Sequence, residues 1–82
     1  MSNINLLINL SSRIFDVPAS DVDIKSNQDN IKGWDSLATI KLITELEKEF
    51  SIQFDIMEIV EVTSIEKVVD ILKNKGININ DS

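Results

Sequence analysis

Residues 33–50 read GWDSLATIKLITELEKEF, and the order of apolar and charged side chains along this stretch decides the fold. Ile40, Ile43, Leu46 and Phe50 recur at three- and four-residue offsets, the spacing that turns one side of an α-helix towards a core. A helix is expected from about Ser36 to Phe50. Either Asp35 or Ser36 suits its N-cap, because a short side-chain oxygen can accept from a first-turn amide that has no partner within the helix. Gly33 can supply a turn ahead of it. With about 100° of rotation per residue and Ser36 at zero, these core candidates centre near 320°, and Leu37 lies about 140° from them. Leu37 is therefore expected to face outward. Beside it, Ser36 stands where unpaired amides and the helix dipole favour a phosphate ester.

Upstream, Ile4, Leu7, Leu10 and Ile14 form a stripe with Leu6 and Phe15 alongside, which predicts a helix of roughly a dozen residues. Val17-Pro18-Ala19 ends it, since proline disfavours helical geometry at the preceding residue. The segment 16–35 is polar, with Val22, Ile24 and Ile31 as apolar anchors, and Ser20 followed by Asp23 is suited to cap one short turn. A loop of about 20 residues is long for a small domain, and its anchors favour an ordered path over the helices. Downstream, Asp55 with Glu58 forms a capping-box pair opening a short helix through Ile56, Ile59 and Val60. Thr63 with Glu66 predicts the start of a last helix whose core stripe is Ile65, Val68, Val69 and Leu72. Lys73 and Lys75 suit its C-terminal dipole and Gly76 its exit, with 77–82 expected to fray. The expected architecture is all-α: a small four-helix bundle with three principal helices, a short third helix and a long first loop. It forms one domain over 1–82, with a helical core at about 4–75.

Composition narrows the chemistry. The 82 residues contain no cysteine and no histidine, so neither a disulfide nor a Cys/His or Ser/His pair can form within the chain. Asp21, Asp23, Asn27 and Asp29 crowd the first loop. A calcium loop starting at Asp21 would need glycine at Ser26 and glutamate at Lys32, and Lys25 occupies a ligand position, so no metal site is expected. A net charge of −6 argues against nucleic acid and anionic membrane as partners. No secretory signal or membrane-spanning run is visible, which makes the cytoplasm the expected location.

Gly33-Trp34-Asp35-Ser36-Leu37, followed by Leu42-Ile43-Thr44-Glu45-Leu46-Glu47-Lys48-Glu49-Phe50, resembles the signature of acyl carrier proteins. Val17-Pro18-Ala19-Ser20-Asp21-Val22, Ile52-Gln53-Phe54 and the closing amphipathic helix fall where that family places them. The resemblance implies that Ser36 takes 4′-phosphopantetheine from coenzyme A through a separate phosphopantetheinyl transferase. Asp35 would help that transferase hold magnesium or orient the serine, and Leu37 would be an apolar contact for partner enzymes. The thiol of the arm would carry an acyl cargo as a thioester, with no catalysis by the chain itself. Fatty-acid carriers usually have acids where this chain has Ala38 and Lys41, and Lys48 interrupts the later acidic cluster. The Trp before Asp-Ser-Leu is more similar to carriers in specialised pathways. Gly33 partly matches the glycine-rich approach of peptidyl carriers, so a peptidyl or aminoacyl carrier is the alternative. An unmodified acidic interaction module, with Ser36 as a cap alone, is the other.

Charge suggests where partners meet the chain. Lys41 with Glu45, and Glu45 with Lys48, stand at helical pairing distances, whereas Glu49, Asp55, Glu58, Glu61 and Glu66 face no base in the pattern. Docking of acyl-loading and acyl-transferring enzymes with basic patches is therefore expected on Leu37 and Trp34 and on the short third helix, with Glu58 and Glu61 meeting Arg or Lys. A monomer is expected.

Overall fold

The computed structural model describes residues 3–79. Four helices follow one another: α1 (Asn3–Phe15), α2 (Ser36–Phe50), α3 (Ile56–Val60) and α4 (Ile65–Asn74), with a 3-10 turn at Ala19–Asp21 in the first loop. Among the described residues there is no strand, and one isolated antiparallel bridge joins Asn27 to Ser64. The helical bundle expected from the sequence is present.

Leu7 of α1, Leu42 and Leu46 of α2, and Ile65, Val68 and Leu72 of α4 have no exposed surface, and the bundle is organised around them. Each such side chain contributes about 1.5–3 kcal/mol by leaving water. The core side of α2 differs from the expected one. Its buried residues are Ala38, Leu42, Ile43 and Leu46, whereas Ile40 is exposed and Phe50 only half-buried. With Ala38 and Leu42 in place of Ile40 and Phe50, the centre of the stripe moves by about 55° around the helix. Ile40 then shares an outward sector with Ser36 and Leu37.

Three helices end by the same device. Asp16, Ser51 and Gly76 each adopt a left-handed backbone, with φ of 58°, 55° and 88°. The next amide in each case reaches back five residues: Val17 N to Ser12 O, Ile52 N to Glu47 O, and Ile77 N to Leu72 O. This closes carbonyls that a helix end leaves open. Gly76 was the exit expected. Ser64, and not Thr63, is the N-cap of α4, its Oγ accepting from Lys67 N at 3.1 Å. The Thr63 carbonyl is instead committed to Gln28 N. Ser20 does not cap the 3-10 turn, which has Pro18 at its N-cap and no side-chain cap bond.

The first loop is ordered by Val22, Ile31 and Trp34, all buried, while the expected anchor Ile24 is exposed. Gln28 N donates to Thr63 O at 3.0 Å and Ile65 N to Ser26 O at 2.9 Å, a short ladder that ties the loop to the entrance of α4. The expected frayed tail is corrected over 77–79: Ile79 is buried in the core, Ile77 packs against it, and Asn3 Nδ2 donates to Asn78 O. Residues 80–82 lie outside the described residues.

Candidate functional site

The approach to α2 is built from the first loop and the end of α1. A Cβ on Gly33 would overlap the Phe15 carbonyl oxygen, so only glycine lets the loop pass so close. That passage stacks the Trp34 ring on Phe15 with centroids 4.5 Å apart. Trp34 Nε1 donates to Thr39 Oγ1 at 2.9 Å, and Thr39 Oγ1 donates to the Asp35 carbonyl at 3.0 Å. Asp35 is the N-cap, its Oδ1 accepting from Ala38 N at 2.8 Å. Between the alternatives left open by sequence, Asp35 is the cap and Ser36 the first helical residue. The expectation that Trp34 touches partners is corrected. It is 5% exposed, because its indole is consumed by the Phe15 stack and the Thr39 bond.

Ser36 is exposed at the N-terminus of α2. Other serines are otherwise placed: the Oγ atoms of Ser11 and Ser12 donate to carbonyls of α1, Ser26 Oγ accepts from Asp23 N, and Ser64 is a cap. Ser51 sits at the C-terminal end of α2, where the dipole is unfavourable to an anion. The Ser36 position fits a phosphate ester on two grounds, its access and its helix terminus. With Asp35 acting as a cap and no histidine in the chain, activation of the hydroxyl falls to an outside group.

Ser36 also borders an open cleft of about 230 Å³. Thr39 and Ile40 of α2 continue one wall, Ile59 and Val60 of α3 form the other, and Val62, Thr63 and Gln28 complete it. Gln28 was not singled out in the sequence, and Thr63 was singled out only as a helix cap. They stand 35 residues apart, and no local pattern joins them to Ser36.

α3 buries none of its residues. Ile56, Met57 and Val60 are 77%, 74% and 69% exposed, and Leu37 is 64% exposed. The expected capping box is present: Asp55 accepts from Glu58 N, and Glu58 Oε1 accepts from Asp55 N, both at 2.9 Å. The expectation that Glu58 faces no base is corrected, since Glu58 Oε1 lies 2.8 Å from Lys75 Nζ. The Lys75 bond first, then the Asp55 amide, holds the Glu58 carboxyl below its usual range. Lys75 also stands over the Phe54 ring at 5.5 Å. Glu61 is exposed. Among the described residues neither Lys41–Glu45 nor Glu45–Lys48 forms an ion pair, so the charges of α2 are not neutralised in the way expected.

In the loop expected to be a poor calcium site, Asp23 Oδ1 accepts from Lys25 N and Asn27 Oδ1 from Asp29 N, which shapes the turns of the loop. No cluster of potential metal ligands occurs among the described residues, and none of the described helices is long and apolar enough to cross a membrane.

Residues 5–72 match the family model described as "Phosphopantetheine attachment site". The chain is 31% identical over 77 residues to the "Acyl carrier protein" of Buchnera aphidicola subsp. Acyrthosiphon pisum (strain 5A), an alignment covering 84% of this chain and 95% of that protein. It is 37% identical over 67 residues to the "Methylphloroacetophenone synthase" of Cladonia uncialis. That alignment covers 82% of this chain but spans only 3% of the synthase.

Proposed function

This chain belongs to the phosphopantetheine attachment-site family, and from that premise we propose that Ser36 is the residue that bears the arm. Carrier function and a covalent 4′-phosphopantetheine go with the family, whose members are generally not catalysts. When bound, the arm supplies a terminal thiol on which an acyl group is held as a thioester. The observation that carries the assignment to Ser36 is its position: an exposed hydroxyl at the N-terminus of α2, directly after a cap fixed by Ala38 N. Asp35 orients the first turn and stands beside the hydroxyl in sequence, where it is suited to assist the transferase.

Partner enzymes that load and unload the arm dock, in this reading, on Leu37 and the exposed face of α3. Ile56, Met57 and Val60 supply apolar contact, and Glu61 supplies a charge for Arg or Lys. Glu58 contributes less than Glu61 because Lys75 already faces it. Long-range charge of this kind acts mainly on encounter rate and salt dependence. We place the chain as a monomeric carrier domain in the cytoplasm. The cargo is acyl; an aminoacyl cargo on the same arm is the alternative, supported by the Gly33 approach to the serine.

The test is to incubate the protein with coenzyme A and a promiscuous phosphopantetheinyl transferase, then locate the added mass by peptide fragmentation. The expected result is one arm, on Ser36. An arm on Ser20, Ser51 or any other serine contradicts the assignment.

A further inference from the structure

The outward ridge of α2 carries one sign of charge. With Ser36 at zero, Leu37, Lys41, Thr44 and Lys48 fall at about 100°, 140°, 80° and 120°, on the side away from the buried residues. All four are exposed. The acids of α2 stand off this ridge, with Glu45, Glu47 and Glu49 about 70° or more from its centre. Glu45 is half-buried, and Glu47 Oε2 accepts from Phe54 N at 2.9 Å, which commits it to the segment before α3. Among the described residues Lys41 and Lys48 make no ion pair. Two unpaired ammonium groups thus follow Leu37 along a chain whose net charge is −6. On the other side of the cleft, Glu61 at the end of α3 is exposed and carries the opposite sign.

We propose that the enzyme this chain serves presents carboxylates to α2, with Lys41 and Lys48 as a basic docking edge. The inference rests on the docking reading given above and adds the sign and spacing of the partner's charges. Leu37 and Lys41 stand about 6 Å apart along the helix axis, and Lys41 and Lys48 about 10 Å. The surface that fits is a protein surface with an apolar recess, two acidic side chains at those intervals, and a base across the cleft for Glu61. Opposite signs on the two sides of Ser36 fix the direction in which such a partner lies, since the reversed direction sets like charges together. A partner drawn by net charge alone is basic throughout and meets repulsion at α2. An anionic lipid surface suits the lysines but repels Glu61. The absence of an acid paired with Lys41 or Lys48 carries the inference, because paired lysines leave a carboxylate little to gain.

The experiment titrates the isotopically labelled full chain with two amphipathic helical peptides that share one leucine-bearing face. One carries two glutamates at the spacing of Lys41 and Lys48, and the other carries lysines in their place. The glutamate peptide is expected to shift the backbone amides of Leu37, Lys41, Thr44 and Lys48, and the lysine peptide those of α3 and Glu61. Lys41→Glu, Lys48→Glu is expected to weaken the glutamate peptide about tenfold. If that variant has no cooperative melting transition, Lys41→Gln, Lys48→Gln decides, with a weakening of about threefold expected. A glutamate peptide that leaves the ridge unmoved, or binds the charge variants as it binds the wild type, overturns the inference. So does a lysine peptide that shifts the ridge equally, or ridge shifts produced by phosphatidylglycerol vesicles and not by the glutamate peptide. Leu37→Ala separates the two readings. If it weakens neither peptide, the docking reading itself fails; if it weakens both while the charge variants do nothing, the assignment of sign alone fails.

Discussion

The approach to α2 and the short helix α3 flank one cleft but are held in opposite ways. At residues 33–39 a glycine passage, a Trp–Phe stack, a chained pair of hydrogen bonds and an N-cap act on consecutive residues. At residues 55–61 there is a capping box, one ion pair to Lys75 and no buried side chain. The first arrangement fixes a hydroxyl in space. The second leaves an apolar face open and is held by the half-buried Ile59 against the core and by a few polar contacts near the surface. A carrier needs both, a defined point of attachment and a face that different enzymes can use.

The contrast is easiest to break by truncating one side chain on each side. Trp34→Ala removes the stack and is expected to cost about 3–5 kcal/mol, a large part of the stability of a small domain. Met57→Ala is expected to stay within about 0.5 kcal/mol, because little apolar surface is lost. Urea denaturation of the two variants measures both. Equal losses would mean that α3 is anchored as firmly as the approach to α2.

A smaller change sharpens the same point. Gly33→Ala is expected to destabilise by about 1–3 kcal/mol, since the new methyl meets backbone and not a flexible side chain. A variant as stable as the wild type would show that the loop has room to move away from Phe15.

On the α3 side the expected effect is local and depends on pH. The Glu58 carboxyl is held below its ordinary 4.5 by Lys75 and the Asp55 amide. Its contribution is thus present above that value and lost as pH falls through the lower folded value. Following the Glu58 carboxyl by NMR should show it titrating lower in the wild type than in Lys75→Ala. Hydrogen exchange in α3 should also quicken in the variant while α2 stays protected. Identical titration in both proteins would remove the ion pair from the account.

The sequence made some of these features legible and hid others for physical reasons. The span of α2, the Asp55–Glu58 box and the Gly76 exit were readable because each depends on neighbours within a few residues. The core side of α2 was misplaced because Ala38 and Leu42 look unremarkable until packing shows which apolar residues it uses. Trp34 reads equally well as a surface contact or a core residue until Phe15 is brought beneath it. Asp16 and Ser51 gave little warning of a left-handed exit, since neither is glycine. For the candidate site, Ser36 and its cap are local and were visible. The cleft depends on Gln28 and Val60–Thr63 arriving from distant parts of the chain.

The central claim is that the Ser36 hydroxyl serves attachment and the fold does not need it. Intact mass and thermal melting of Ser36→Ala, after incubation with coenzyme A and a phosphopantetheinyl transferase, test both halves together. Because Asp35 is the cap, the variant is expected to keep its stability within about 0.5 kcal/mol. It should gain no mass while the wild type gains one arm. A Ser36→Ala protein that still acquires the arm would contradict the account, as would a folded wild type that never does.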